Sequence, residues 1–315
     1  MAEKIQALYQ SYGELEGVSI ECQKELIAIG ITNKCARAEI FLQGAQVTGY
    51  QRHGEAPILF LSKDCQFKQG SPLRGGIPIC WPWFGDLNKN NPELKGQFSS
   101  SFCEAAPAHG FVRDIDWDVK NIRIVDDKET LVTLKCDVPL DNAFGWPFSA
   151  CLVYEVSVGE TLKAALSVKN SGDNNFIFSA ALHSYFKVDS IINTKITSLN
   201  KVFYINALKG WSKCQQHDDV VFNQEVDRIY LFPSSDHGSS GHSIDLKDTR
   251  RSLNIESGGS ASAIVWNPWI EKSKRLTQFS DDEYKKMVCI ETANVADDMV
   301  MLAPNQEHVL SVKIS

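Results

Sequence analysis

An all-β fold, a large antiparallel β-sandwich with few short helices, is what this sequence predicts, and three observations lead to it. The first is apolar alternation with period two, which turns one face of a strand toward a core. Val132, Leu134, Cys136 and Val138 form one such set, Leu152, Tyr154, Val156 and Val158 a second, and Leu162, Ala164, Leu166 and Val168 a third. The second is the turn chemistry between sets. Gly159 separates two of them, and Asn170-Ser171-Gly172-Asp173-Asn174-Asn175 leads into a run with Phe176, Phe178, Ala180 and Leu182 on one face. The third is the shortage of long helical patterns between strands, which disfavours a parallel α/β sheet. Ile5, Leu8 and Tyr9 mark one face of a short N-terminal helix, and Ser280 with Glu283 resembles a capping box opening a single turn. Ser234–Ser243 reads as an exposed loop, and Val309–Ile314 closes the chain as a strand.

All-β units of this length often fold as one body, and no internal repeat is visible, so residues 1–315 are expected to form a single domain. With 43% hydrophobic and 23% charged residues, the chain has ample material for a core and no signature of disorder. Lys and Arg total 32 against 39 Asp and Glu, and the resulting charge of -7 opposes nonspecific binding to nucleic acid or to an anionic membrane. A phosphate ligand would therefore need a local basic site. The nine cysteines are scattered, odd in number and never spaced as CxxC, so reduced packing thiols are expected rather than a disulfide framework or a zinc site. No apolar run spans a bilayer and the first residues contain no signal-peptide segment, which leads to the expectation of a cytoplasmic protein. Oligomeric state is left open, with a monomer compatible.

The P-loop, the dinucleotide fingerprint, the GxSxG elbow and the HExxH helix are all missing, which removes many enzyme classes. Four segments remain. In Leu73–Gly85 (LRGGIPICWPWFG), paired glycines let the backbone approach a ligand and present Arg74 as a fixed fork suited to phosphate. Trp81, Trp83 and Phe84 divide about evenly between a sugar-facing surface and core. In Ala108–Asp114 (AHGFVRD), His109 and Arg113 bracket a glycine, and a second loop arginine completes a phosphate-sized anion site. A structural His109 and an Arg113–Asp114 ion pair are the blander alternative. In Ala180–Phe186, alternation groups His183 with Ser179 and Tyr185, away from Phe178 and Leu182. Histidine suits proton transfer near neutral pH, although a solvated His183 is as compatible with this pattern. Glu291 ends the apolar stretch Lys286–Asn294, where desolvation raises a carboxyl toward the range of a general base. Ile264–Trp269 adds aromatics that either wall the same cleft or pack.

Taken together, LRGGIPICWPWFG (73–85), AHGFVRD (108–114), ALHSYF (181–186), VDRIY (226–230), VWNPW (265–269) and MVCIETANV (287–295) resemble the hexose-6-phosphate branch of the aldose 1-epimerase family. They occur in family order from the first quarter to the last tenth of the chain. The resemblance implies a galactose mutarotase-like sandwich and the interconversion of α and β anomers of a hexose 6-phosphate, glucose 6-phosphate foremost. It implies His183 as general acid at the ring oxygen and Glu291 as general base at the anomeric hydroxyl. It also implies Arg74 and Arg113 on the phosphate, His109 along the sugar, and Asp227 on sugar hydroxyls. The partner is a small-molecule hexose phosphate, and no cofactor or metal is required. Where some relatives carry Gln before the histidine of HGFxR, this chain has Ala108. Two alternatives stay open. An epimerase of unphosphorylated sugars would not need two convergent arginines, and a noncatalytic carbohydrate-binding sandwich would not need His183 and Glu291 side by side.

Overall fold

The computed structural model describes residues 1–233 and 241–315. The chain opens with the helix Ala2–Tyr12, which buries Leu8 and packs Ile5 against the core. Tyr9 stays half exposed and donates its hydroxyl to the Ile20 carbonyl at 2.5 Å. A four-stranded meander follows, with Val18–Gln23, Leu26–Thr32, Ala36–Phe41 and Val47–Arg52 paired in order.

Two large antiparallel sheets carry the rest. One has nine strands, running from Val220–Val221 through Lys195–Ile196, Gly241–Lys247, Ser252–Gly258, Glu307–Ile314, Leu162–Asn170, Ala150–Val158 and Thr130–Val138 to Asp118–Ile124. Its centre is the three alternating segments legible in the sequence, and Val132, Leu134, Leu152, Tyr154, Val156, Leu162 and Leu166 are all fully buried. The other has eight strands, in the order Ser212–Gln215, Phe203–Asn206, Val226–Leu231, Ser262–Asn267, Met287–Asn294, Ala180–Leu182 and Ile79–Cys80, with Tyr185–Lys187 also paired to Met287–Asn294.

The sheets meet through the alternate residues of their strands, as in a sandwich. The hydroxyls of Ser257 and Thr292 lie 2.7 Å apart across the two sheets. Thr292 thus faces the partner sheet, and the period of two sends its neighbours Glu291 and Ala293 to the opposite face. One continuous apolar cluster runs from Leu8 to Ile314 and draws on both large sheets and the meander.

Two local expectations need correction. The sequence predicts an exposed loop over Ser234–Ser243, but 241–243 belong to the strand Gly241–Lys247, and 234–240 lie outside the described residues. At Ser280 only half of a capping box forms. Glu283 accepts from the Ser280 amide at 3.0 Å, whereas the Ser280 hydroxyl goes to Asp64. The Glu283 carboxylate also accepts from the Ser62 hydroxyl at 2.6 Å and the Lys63 amide at 2.9 Å, so it ties together loops more than two hundred residues apart in sequence. Bonds to a charged acceptor are worth about 1.5–3 kcal/mol each, and their donors are left unpaired when it is removed. Glu283→Ala is therefore expected to lower the unfolding free energy by about 2–3 kcal/mol in urea titrations. A loss below about 0.5 kcal/mol would show that solvent replaces this carboxylate without cost.

Candidate active site

The strand Met287–Asn294 is buried along its whole length and supplies the floor of the site. Glu291 lies opposite Ile264, which lies opposite Ile229, which lies opposite Ile205. One rung to one side, Ala293 is flanked by Ala181 and Ser262, and Cys80 pairs with Ala181. One rung to the other side, Cys289 is flanked by Tyr185 and Trp266, and Asp227 pairs with Trp266. Alternation puts all of these on Glu291's face. The bed is mostly apolar, and Glu291 and Asp227 are its only carboxyl groups among the residues just named.

Alternation puts His183 on this face as well, between the pairs Ala181–Ala293 and Tyr185–Cys289 that bracket Glu291. Ala180–Leu182 and Tyr185–Lys187 both pair with Met287–Asn294, but His183 and Ser184 leave the ladder between them. The His183 amide donates to the Pro78 carbonyl at 3.0 Å, and the Ser184 carbonyl accepts from the Ile290 amide at 3.1 Å. His183 Nε2 then stands 3.3 Å from Glu291 Oε1. Its ring stacks on Tyr185 at 4.7 Å and 12°, with Trp266 edge-on at 6.1 Å. The pair is almost fully enclosed, with His183 at 8% exposure and Glu291 at 1%. His183 Nδ1 and Glu291 Oε2 have no hydrogen-bond partner among the described residues.

The two loops bearing the arginines close over this bed. Gly76 and Gly110 are both left-handed, and a Cβ at either would lie 2.1 Å from the Val47 carbonyl or 1.9 Å from the Trp81 carbonyl respectively. The glycines therefore permit backbone to pack closely on backbone. Arg74 donates through Nε to the Thr277 carbonyl at 3.2 Å. Arg113 donates through Nη2 to the Ala108 carbonyl at 2.7 Å, and its Nε sits 3.9 Å from Asp114, too far for a close ion pair. His109 lies with its ring 5.6 Å from that of His183, and its Nδ1 accepts from the Gly85 amide at 3.2 Å. Phe84 packs 4.8 Å from His109 and walls the site. Trp81 and Trp83 do not. Both have zero exposure and belong to an aromatic cluster with Phe111, Phe178 and Trp146 or Phe98 and Phe102, so they are core. Trp266 faces the site, whereas Trp269 packs on Tyr284 at 5.2 Å.

Burial dominates the electrostatics. It pushes Glu291 well above the usual carboxylate range, and the nearby charge of Asp227 adds to the shift. Burial first, with Arg113 and Arg74 adding to it, lowers His183 to about 3. Burial, Arg113, His183 and Arg74 hold His109 well below its ordinary value. Asp227 rises to about 6, through burial first and Glu225 second. Both arginines thus act on both histidines, which brings the expected site residues Arg74, His109, Arg113, His183, Asp227 and Glu291 into one electrostatic neighbourhood. Sequence reasoning missed three participants. Tyr185 stacks on His183, Cys289 lies two residues before Glu291 on the same face, and the charge of Lys272 reaches both His109 and Asp227. Counting by two from Glu291 would have found Cys289; nothing local marks Lys272, which arrives on the helix Trp269–Ser273. His183, Cys289 and Glu291 each bring a potential metal-ligand atom to within 4.8 Å of the others.

A buried imidazole against a buried carboxyl, on a mostly apolar bed inside a β-sandwich, is an arrangement for moving protons on a small polar molecule. The sequence profile of the aldose 1-epimerase family matches residues 28–315. The chain belongs to the aldose 1-epimerase family. It is similar to a protein of Cenchrus ciliaris provisionally named glucose-6-phosphate 1-epimerase, at 30% identity over 293 residues, covering 90% of this chain and 82% of that one. A Salmonella typhimurium protein with the same provisional name is 30% identical over 269 residues, covering 85% and 83%. A solved structure from Salmonella typhimurium, provisionally described as a mutarotase, has a TM-score of 0.82 at 27% identity and covers 96% of this chain and 94% of its own. Galactose 1-epimerase from Lactobacillus acidophilus shares the fold, with a TM-score of 0.71 at 12% identity over 95% and 97% of the chains. This aldose 1-epimerase family member is thus a galactose mutarotase-like β-sandwich and an isomerase that acts on sugars.

Its site carries a stability cost that can be measured. Asp227 holds its proton more tightly folded than unfolded, so the folded state gains relative stability below about pH 4 and loses it as pH rises through about 6. Asp227→Asn removes that dependence. The variant is expected to gain on the parent by about 1–3 kcal/mol between about pH 4 and pH 7, since each tenfold difference in proton affinity between folded and unfolded chains is worth about 1.4 kcal/mol. Urea unfolding of both proteins across this range checks it, and parallel curves would refute the burial argument.

Proposed function

We propose that this enzyme interconverts the α and β anomers of a hexose 6-phosphate, with glucose 6-phosphate the leading candidate, and that the whole chain 1–315 folds as one unit around this site. The observation that carries the reading is the pairing of His183 Nε2 with Glu291 Oε1 at 3.3 Å near two arginines that no carboxylate among the described residues neutralises closely. The provisional names of the relatives agree with it. The continuous cluster from Leu8 to Ile314 supports the single unit, and nine unpaired cysteines fit the expected cytoplasmic setting.

The chemistry follows from the residues. Glu291 takes the proton of the C1 hydroxyl, the C1–O5 bond breaks with its electrons going to O5, and His183 delivers a proton to that oxygen. The open aldehyde rotates about the C1–C2 bond, and the reverse transfers close the ring on the other face. No atom or electron is gained or lost. Burial disfavours the charge on each group and so holds both near neutrality. Moving the proton of Glu291 onto His183 creates the competent pair. A phosphate dianion on Arg74 and Arg113 offsets the two positive charges that lower the proton affinity of His183, and so favours that tautomer. Phosphate would then promote chemistry as well as binding. Asp227 and His109 are assigned to sugar hydroxyls. A sandwich that merely binds carbohydrate has no need of the buried imidazole–carboxyl pair.

Glu291→Gln and His183→Asn are each expected to slow anomer exchange, followed by NMR, by roughly 10²–10⁴-fold with the fold intact. Near-normal turnover by either folded variant would sink the acid and base assignments. For substrate class, Arg74→Ala and Arg113→Ala should each lower kcat/KM for glucose 6-phosphate by about 10–100-fold, the equivalent of about 1.5–3 kcal/mol for one charge-assisted bond. Free glucose should be affected far less, and equal losses on both substrates would withdraw the phosphate assignment.

A further inference from the structure

We propose that His183, Cys289 and Glu291 form a binding site for a divalent cation of the zinc class, and that metal in this site switches the enzyme off. Tetrahedral zinc, with bonds of about 2.0–2.3 Å, sets its ligand atoms roughly 3.3–3.7 Å apart. His183 Nε2 and Glu291 Oε1 already stand 3.3 Å apart, and all three ligand atoms fall within 4.8 Å of one another. A side-chain adjustment of about 1 Å completes the triangle, a movement within one rotamer well. The second nitrogen of His183 and the second oxygen of Glu291 are buried without partners among the described residues, so binding breaks no other hydrogen bond this pair makes there. One thiolate, one imidazole and one carboxylate make a donor set that zinc and cobalt(II) favour over magnesium or calcium.

Charge balance supports the same assignment. A thiolate and a carboxylate cancel the two positive charges of the ion, so the occupied, desolvated site carries no net charge. Cys289 gives up its thiol proton and Glu291 any proton it holds, both to solvent, while His183 binds as neutral imidazole; no electron is transferred. Arg74 and Arg113 oppose an entering cation, and Asp227 attracts it. Three protein ligands leave a fourth position on the sugar side. The ion then occupies the nitrogen lone pair and the carboxylate oxygen that proton transfer needs, so metal and sugar compete. The inhibition, though not the binding, rests on the catalytic roles proposed above.

The test uses the full chain, freed of metal by a chelator, with Co²⁺ and Zn²⁺ alone as probes. Co²⁺ should produce a near-ultraviolet thiolate-to-metal absorption that Zn²⁺ bleaches, and anomer exchange should fall with the same midpoint. In Cys289→Ser that absorption should vanish, and the inhibitory Zn²⁺ concentration, measured against the variant's own uninhibited rate, should rise at least about 10-fold, since losing even an outer-shell partner costs that much. His183→Asn should weaken Co²⁺ binding by a similar factor while keeping the thiolate absorption, which serves if the serine variant does not fold. Inhibition at an unchanged concentration in Cys289→Ser, or a thiolate absorption without loss of rate, overturns the proposal. The spectroscopic arm stands whichever sugar proves to be the substrate.

Discussion

Two ionisable groups buried against each other on an apolar strand set the terms for the rest of this structure. Taking a carboxyl and an imidazole out of water is costly, and among the described residues neither finds a full set of hydrogen bonds. The fold tolerates this because Met287–Asn294 lies inside the larger assembly, held by Ser262–Asn267 on one side and by Ala180–Leu182 and Tyr185–Lys187 on the other. Thr292 fixes the strand to the opposite sheet through Ser257, and so fixes which way Glu291 points. The stack of Tyr185 on His183 holds the second member of the pair. The unmet hydrogen bonds are the places where a substrate oxygen is expected.

The same burial organises the charges around the pair. Asp227 pushes Glu291 toward its protonated form, and Arg113 and Arg74 push His183 toward its neutral form. An anion at the arginines reverses the second effect. The loops that carry the arginines owe their shape to backbone contacts that a Cβ at Gly76 or Gly110 would obstruct. In the proposed reaction, an anion held by the arginines would couple recognition to proton transfer through this low-dielectric space.

Much of the nine-stranded sheet was legible in the sequence, because Thr130–Val138, Ala150–Val158 and Leu162–Asn170 each bury one face, and burial on one face writes itself as alternation. The break at His183 and Ser184 was not legible, since it comes with the His183 amide turning to the carbonyl of Pro78, far away in the chain. Trp81 and Trp83 divided evenly between core and cleft on sequence grounds, because an aromatic side chain fits either, and the cluster with Phe111 and Trp146 placed them in the core. The capping box at Ser280 failed because Asp64, distant in the chain, captured the serine hydroxyl.

What the sequence by itself determined is the fold class, the family and the identity of the polar residues set among apolar ones, since these follow from local periodicity and from motifs in order. What only the tertiary structure decided is which of those residues meet. Glu291 and His183 lie 108 positions apart in sequence, by subtraction of their numbers, yet stand 3.3 Å apart in space. Strand register sets that distance, and register is a property of pairs of strands. Cys289 joins them for the same reason, and burial, which no single segment specifies, gives all three their chemistry.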